Sequence, residues 1–140
     1  MLDQAAQNGP LMQVRDFAAC DLDAAYQLLV SSGWIHRIPS ARHLQRLVAA
    51  SQRTAVALLD DEVVGFARAI TDGISNGYLS MVVVADAHRG GGVGKALVNH
   101  VVGTEPGITW VLRAGRSGAP EFFAKLGFVA STDAMERQRR

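Results

Sequence analysis

The residues best suited to chemistry lie where a run of valines meets a cluster of glycines, V-V-V-A-D-A-H-R-G-G-G-V-G-K-A-L at 82–97. The valines predict a buried strand, the glycines a tight turn, and the residues from Val93 onward the first turn of a helix. The first N–H groups of a helix have no partner within it, and the helix dipole is positive at that end. We therefore expect this junction to bind a ligand that carries phosphate groups.

Two familiar glycine motifs do not fit this run. A dinucleotide fingerprint G-x-G-x-x-G that starts at Gly90 needs a glycine at 95, where the chain has Lys95. A P-loop that ends at Gly94-Lys95 needs a glycine at 89 and a hydroxyl side chain at 96, but these residues are Arg89 and Ala96. A generic nucleotide-binding domain therefore remains only as a third interpretation, which tight binding of ATP or NAD would support.

The apolar periodicity predicts elements in the order β-α-α-β-β-β-α-β-α-β. Asp21 and Ser40 are expected to cap the two helices after the first strand, and Gly33 to end the first of them. The other elements are expected at 11–17, 54–60, 62–70, 78–85, 93–103, 108–114, 119–126 and 128–136. The predicted fold class is α/β (α+β), with a polar leader at 1–11 and one domain at 12–140 that has a mixed central β-sheet flanked by helices. A crossover helix after the strand at 78–85 places the glycine turn at that strand's carboxyl end, where open α/β sheets bind ligands.

Composition and charge limit the classes of function. With 49% hydrophobic and 19% charged residues the chain is too apolar for disorder, and a formal net charge of +1 provides no field for nonspecific nucleic-acid binding. Cys20 is the only cysteine, which excludes an internal disulfide and a multi-thiolate zinc site, so we expect no metal. No segment approaches the ~20 apolar residues of a membrane span, and the N-terminus lacks a signal-peptide pattern. We therefore expect a cytoplasmic protein that does not bind membranes.

The spacing that does match is R-x-x-G-x-G, from Arg89 to Gly94, directly after a strand and at the start of a helix. It resembles the acyl-CoA-binding signature of the GNAT family of N-acetyltransferases. A second stretch, A-P-E-F-F-A-K-L-G-F at 119–128, is similar to the family's downstream motif, a short helix with an aromatic pair, a lysine and then Gly-Phe. The order of the predicted elements also resembles the GNAT fold from about residue 12 onward.

The resemblance implies an enzyme that transfers the acetyl group of acetyl-CoA to a primary amine, of a small molecule or of a protein, by direct attack in a ternary complex. It implies that backbone groups of Val82, Val83 and Val84 pair with the pantetheine arm, and that one N–H polarises the thioester carbonyl. The pyrophosphate would be held by the residues of the glycine turn: Arg89, Gly90, Gly91, Gly92, Val93, Gly94 and Lys95. Dimerisation is common in the family, so a homodimer is an open possibility for assembly.

At three further positions the chain has a residue that differs from the one relatives often carry. Arg116, three residues before Ala119, stands where relatives often carry an asparagine that contacts CoA, and a solvent-exposed loop arginine is the alternative. Phe123 occupies the place in the CoA site where many relatives have a tyrosine that protonates the departing thiolate. Met81 stands eight positions before Arg89, where relatives commonly have an acidic residue. The last two departures leave open a noncatalytic acyl-CoA-binding module that senses acyl-CoA or regulates a partner.

A base is still useful, because an alkyl ammonium with a pKa of about 10 must lose a proton before it attacks. The candidates are Asp72 in the loop before the central strand, Tyr78 at its start, and His36 in the loop between the first two helices. Each has an ordinary alternative, as a turn former, a strand aromatic and a surface residue. In the family the loop between the first two helices lines the acceptor pocket, where Trp34 would form an apolar wall and Arg37 would meet an acidic group. Ordinary core packing is the alternative for Trp34.

Overall fold

The computed structural model describes residues 11–140, which contain five strands and four α-helices. The predicted leader lies outside these described residues except for Leu11. The strands are β1 (Met12–Asp16), β2 (Arg53–Leu59), β3 (Glu62–Thr71), β4 (Asn76–Val84) and β5 (Thr109–Leu112). The helices are α1 (Leu22–Ser31), α2 (Ala41–Ala49), α3 (Val93–Val102) and α4 (Ala119–Ala124). Within these residues no helix has the length and hydropathy that crossing a membrane requires.

The strands form one mixed sheet in the order β1-β2-β3-β4-β5. Neighbouring strands from β1 to β4 are antiparallel, while β5 is parallel to β4, with α3 as the crossover between them. The hairpin between β2 and β3 turns at the acidic pair Asp60 and Asp61, as predicted. Their φ angles of 50° and 67° are the left-handed values that a two-residue hairpin turn favours.

Helices cover both faces of the sheet, and each face buries its own apolar cluster. On one face, α1 and α2 contribute Leu29 and Leu44 to a cluster that includes Phe66. On the other face, α3 contributes Leu97 and Val101, one helical turn apart, to a cluster with alanines of β2 and β3. The small side chains of these strands let α3 pack close to the sheet.

A β-bulge in β4 changes which side chains face which helices. Arg68 of β3 lies opposite Met81, and the next residue, Ala69, lies opposite Leu79. Ser80 is therefore an extra residue in the ladder. Strict alternation would turn Leu79 and Met81 to the same face. Instead, Leu79 packs in the α3 cluster and Met81 in the cluster beneath α1 and α2.

Arg15 and Asp21 join β1 to the beginning of α1. The Arg15 guanidinium donates to both carboxylate oxygens of Asp21, at 2.7 and 2.9 Å, and the Ala18 N–H donates to the same carboxylate at 2.8 Å. The predicted capping role of Asp21 is not realised, because its side chain makes no bond to the first turn of α1. The hydrogen bonds from Arg15 lower the pKa of Asp21, although burial of the carboxylate opposes this shift.

The predicted fold class is confirmed, since helices flank one mixed sheet in the expected order up to the last element. The last element is wrong: 128–136 was expected to end the domain as a strand, and these residues form none. Beyond Phe128 they are exposed, so they have no apolar face that could dock beside β5. Ser131 Oγ accepts hydrogen bonds from the N–H groups of Asp133 and Ala134 at 3.1 and 3.3 Å. This local turn takes the place of a strand ladder.

Candidate active site

An opening between β4 and β5 forms the centre of the candidate site. The two strands pair only from Asn76 with Thr109 to Leu79 with Leu112, whereas β4 continues to Val84. The edge of β4 from Ser80 to Val84 that faces β5 therefore has no partner strand among the described residues. This edge presents backbone N–H and C=O groups to a ligand that lies along it. The predicted CoA-binding valines, Val82, Val83 and Val84, all lie here.

The glycine turn follows this edge directly and begins α3. Gly90 and Gly92 have φ angles of 82° and 89°, a left-handed conformation that side chains disfavour. Gly92 caps α3 without a side-chain hydrogen bond. No backbone N–H of residues 90–95 donates to an acceptor elsewhere in the described part of the chain. These consecutive free amides, at the positive end of a helix, form a site for an anion.

The two basic side chains of the turn differ in their contacts. Arg89 Nε donates to the Val84 carbonyl at 3.2 Å, and Arg89 Nη1 lies 2.7 Å from Asp86 Oδ1. Arg89 therefore closes the end of β4 while its guanidinium stays half exposed. Lys95 is exposed in the first turn of α3 and makes no ion pair among residues 11–140. Both side chains can add positive charge beside the free amides.

Gly94 and Phe122 bring the two predicted motifs into contact. A Cβ atom at Gly94 would lie 3.0 Å from Phe122 Cζ and 3.2 Å from Cε1, closer than most Cβ contacts, so the absence of a side chain at Gly94 lets α4 pack tightly on α3. Phe123 packs edge-on against Phe122 and Phe128, with ring centroids 4.9 and 5.7 Å apart. The aromatic pair of the downstream motif thus supports the helix that begins at the glycine turn.

A cavity of about 520 Å³ lies on the opposite face of the sheet, between the α1–α2 loop and the middle of β4. We name it the α1–α2 cavity. It brings together most of the residues predicted for catalysis and acceptor binding. Those that line it are Trp34, His36, Arg37 and Tyr78. Arg116, predicted to contact CoA, and Met81, at the family's usual acidic position, line it as well. The bulge at Ser80 contributes to this arrangement, because Ser80 and Met81 both face the cavity although they are consecutive in the strand.

Arg116 and Trp34 lie together at the wall of this cavity. The Arg116 guanidinium carbon is 4.5 Å from the centroid of the Trp34 ring, a cation–π contact between the loop after β5 and the α1–α2 loop. Arg116, predicted from the family's pattern to contact CoA, thus borders the space predicted for the acceptor. Trp34 is half-buried and packs against the apolar cluster beneath α1 and α2, so it belongs both to the core and to the wall of the cavity.

Asp72 is the predicted base that does not line the α1–α2 cavity. Its Oδ1 accepts hydrogen bonds from the N–H groups of Ile74, Ser75 and Asn76 at 2.8, 2.8 and 3.1 Å, and Oδ2 accepts from Ser75 Oγ at 2.7 Å. These bonds, first those from the Ser75 and Ile74 backbones, lower the pKa of Asp72. A carboxylate stabilised in this way is a weaker base, and its evident role is to hold the loop before β4.

Arg68 is the functional candidate that the sequence analysis missed. It is only 7% exposed, on β3, yet it lines the α1–α2 cavity. Its Nε donates to Ser51 Oγ at 3.0 Å and its Nη1 to Ser80 Oγ at 2.9 Å. Burial lowers the pKa of Arg68, an effect that the Tyr78 phenol partly offsets. The sequence does contain a signal for Arg68. It lies two residues after Phe66 in the same strand, so both side chains point to the same face of the sheet, which is buried.

His43 and Arg113 were also missed, and both line the α1–α2 cavity. His43 lies in the first turn of α2, where its N–H donates to Ser40 Oγ, the predicted cap of that helix. Arg113 follows β5 and pairs with Glu136 at 2.6 Å. No local pattern marked these two residues, because the α1–α2 cavity joins segments distant in the chain.

Comparison with known proteins gives a family match. A family model, the acetyltransferase (GNAT) domain, matches residues 50–130, more than half of the chain. No curated protein is similar to the chain at a significant level. Among solved structures, a protein of Xanthomonas campestris pv. campestris assigned to the GNAT family is 28% identical, covers 93% of this chain and 94% of its own, and superposes with a TM-score of 0.75.

Two more distant structures share the fold. An aminoglycoside N-acetyltransferase solved in complex with CoA is 21% identical, with 94% of this chain and 97% of that chain covered and a TM-score of 0.72. An aminoglycoside acetyltransferase from an uncultured soil metagenomic sample, solved with sisomicin, is 21% identical, with 92% and 95% covered and a TM-score of 0.69. At this level of identity the likeness concerns the arrangement of helices and strands.

Proposed function

Because the chain belongs to the GNAT family of acetyltransferases, we propose that it is an acetyl-CoA-dependent N-acetyltransferase acting on a primary amine, either of a small molecule or of a protein. The observation that carries the proposal is the unpaired edge of β4 from Ser80 to Val84, which leads directly into the free amides of residues 90–95. An extended arm can pair with such an edge, and a diphosphate with such a turn. The strand edge and the turn follow one another in the same order as the extended arm and the diphosphate of coenzyme A.

Acetyl-CoA would supply the acetyl thioester, and the chain's residues bind and orient the reactants. Amides of Val82–Val84 pair along the arm, one of them polarising the carbonyl, while Arg89 and Lys95 add charge at the phosphates. Of the other two residues predicted for the CoA site, Phe123 packs against Phe122, which contacts Gly94 of the turn, and Arg116 lines the α1–α2 cavity. Placing an amine from the α1–α2 cavity beside the thioester supplies much of the rate enhancement.

The amine must lose a proton before its lone pair can form the C–N bond while the C–S bond breaks. We assign this proton transfer to one of the two predicted bases that line the α1–α2 cavity, Tyr78 or His36. Neither Phe123 nor Met81 can exchange a proton. The reaction tolerates the lack of a proton donor for the leaving group, because a thiol with a pKa of about 8.5 departs readily as the thiolate.

A noncatalytic acyl-CoA-binding module is the second candidate, and Phe123 and Met81 are the observations that favour it. Such a module would bind acetyl-CoA through the same β4 edge and turn. It would sense the acyl-CoA or regulate a partner without releasing free CoA. The aminoglycoside acetyltransferases share only the fold with this chain, so their acceptor class is not carried over to it.

The experiment combines binding and turnover. Calorimetry with CoA is expected to show binding that Lys95→Ala weakens about fivefold to tenfold, whereas Arg42→Ala, an exposed change on α2, has no effect. Release of free thiol from acetyl-CoA is then followed with a panel of amines. Binding with thiol release on at least one amine supports the enzyme, and binding without release on any amine supports the sensor. An absence of CoA binding overturns both.

A further inference from the structure

The α1–α2 cavity carries a concentrated positive charge. Five arginines line it, and no aspartate or glutamate of residues 11–140 does; the arginines are Arg37, Arg68, Arg113, Arg116 and Arg139. Only Arg113 has a carboxylate partner within 4.0 Å in the described part of the chain, namely Glu136. The whole chain has a formal net charge of only +1. The positive charge of this cavity is therefore a local feature and does not reflect a basic protein.

Arg68 is the member of this set whose position is hardest to explain by structure alone. A cation that is 7% exposed normally has a carboxylate partner, because burying an unpaired charge is costly. The partners of Arg68 are two neutral hydroxyls, Ser51 Oγ and Ser80 Oγ. Its third nitrogen, Nη2, has no hydrogen-bond partner among the described residues. The two serines hold the guanidinium in place at the wall of the cavity and leave Nη2 available to a ligand.

We infer that the acceptor is a small amine that also carries a carboxylate, which Arg68 and Arg37 bind in the α1–α2 cavity. This inference rests on the proposed function and specifies its substrate. The planar guanidinium fits a carboxylate in two parallel hydrogen bonds. Arg37, exposed on the α1–α2 loop, adds charge at the entrance. A volume of about 520 Å³ suits a molecule of amino-acid to dipeptide size, and Trp34 and Ile70 provide an apolar wall for its side chain.

The phosphates of coenzyme A do not account for this charge. Ser80, which holds Arg68, lies four residues before the end of β4, or about 13 Å along the strand at ~3.3 Å per residue. The free amides at 90–95 lie beyond that end. A diphosphate bound at the turn is therefore far from Arg68, and a separate anion is needed to match the buried guanidinium.

The first arm of the test measures binding without turnover. N-acetylated amino acids are titrated into the CoA complex beside the same compounds with the carboxylate converted to an amide. The acids are expected to bind at least tenfold more tightly than the amides. Arg68→Gln should remove this preference, Arg68→Lys should retain part of it, and Arg37→Gln should reduce it a few fold. Arg46→Gln, an exposed arginine of α2 that does not line the α1–α2 cavity, is the matched control and should leave it unchanged.

The second arm measures thiol release with free amino acids, their amides and a polyamine such as spermidine. Higher kcat/KM for the carboxylates, lost in Arg68→Gln, supports the inference. Equal or higher kcat/KM for amides or spermidine overturns it while leaving the acetyltransferase assignment intact, and so does an absence of acid preference in the first arm. Failure to bind CoA overturns the proposed function instead. If circular dichroism shows that Arg68→Gln is unfolded, the exposed Arg37→Gln and the charge-retaining Arg68→Lys decide the outcome.

Discussion

Tyr78 has a free hydroxyl in a cavity whose other titratable groups are mostly cations. Its hydroxyl makes no hydrogen bond to any described residue, whereas the hydroxyl of the other tyrosine, Tyr26, donates to the Pro39 carbonyl at 3.1 Å. A hydroxyl without a protein partner can exchange a proton with an incoming amine without first breaking a hydrogen bond. Tyr78 meets this condition, and it is positioned by β4 rather than by a mobile loop.

Replacing Tyr78 with phenylalanine tests this role at the level of one oxygen atom. We expect Tyr78→Phe to lower kcat about a hundredfold, because general acid–base catalysis contributes at least that much, while the Kd for CoA changes little. Steady-state kinetics with CoA calorimetry provide the measurement. Tyr26→Phe is the matched control and should cost only stability, on the order of 1 kcal/mol for the lost hydrogen bond. A full rate in Tyr78→Phe with a large loss in His36→Gln would instead assign the proton transfer to His36.

Among the elements, α3 and α4 act as one unit, although they belong to different motifs. Phe122 of α4 lies over Gly94 in the first turn of α3, at the place where the free amides are aimed. The orientation of these amides therefore depends on how closely α4 can approach. This contact gives a physical reason for finding the two motifs together in one chain.

Gly94→Ala should separate these two helices. The added Cβ would be 3.0 Å from the Phe122 ring, and overpacking of this kind costs about 1–3 kcal/mol of unfolding free energy. We expect a lower denaturation midpoint and about tenfold weaker CoA binding, measured by urea unfolding and calorimetry. Gly107→Ala, whose Cβ would have an ordinary contact at 3.5 Å, is the control. The double variant Gly94→Ala with Phe122→Leu should recover part of both losses, and no recovery would show that the ring contact is not the cause.

Across the whole molecule, the sheet separates two chemical environments. Helices α1 and α2 lie over the face with the basic cavity, whereas α3 and α4 cover the other face and present the phosphate-binding turn at the end of β4. The opening between β4 and β5 lies between these two environments. Its geometry depends on the sheet staying assembled, including its far edge, where Arg15 and Asp21 hold β1 to α1.

The stability of this assembly should depend on acid through Asp21, which is 4% exposed. Because Arg15 lowers the folded pKa of Asp21, its carboxylate stabilises the fold above the unfolded pKa of about 3.9, and that contribution is lost as the pH falls further. Asp21→Asn should therefore unfold at lower urea concentration than the wild type at pH 7, with a difference that shrinks below about pH 4. Asp23→Asn, an exposed neighbour, should show little such dependence. A difference for Asp21→Asn that stays constant from pH 7 to pH 3 would contradict this account.

Much of the fold could be predicted because its signals are local. The alternation in β1, the β-rich runs of β2 and β3, the i, i+4 spacing of Leu97 and Val101, and the turn-forming Asp60-Asp61 pair each depend on neighbours in the chain. The glycine turn belongs to this class, since free amides at a helix start follow from backbone geometry. The final strand was predicted wrongly because docking beside β5 is a long-range condition that Ser131 and its polar neighbours do not meet.

The amino-acid sequence by itself determined the order of the elements, the glycine turn and the resemblance to the GNAT family. Only the tertiary structure decided which candidates meet in one cavity, because that depends on the register of β4 and on its bulge at Ser80. The bulge turns both Ser80 and Met81 toward the α1–α2 loop, and Arg68 is held against Ser80 across the strand pair. Asp72 was excluded from the cavity by hydrogen bonds within its own loop. The spacing of glycines and basic residues along the chain thus indicates a phosphate site. The charge that selects an acceptor arises instead from residues that folding brings together.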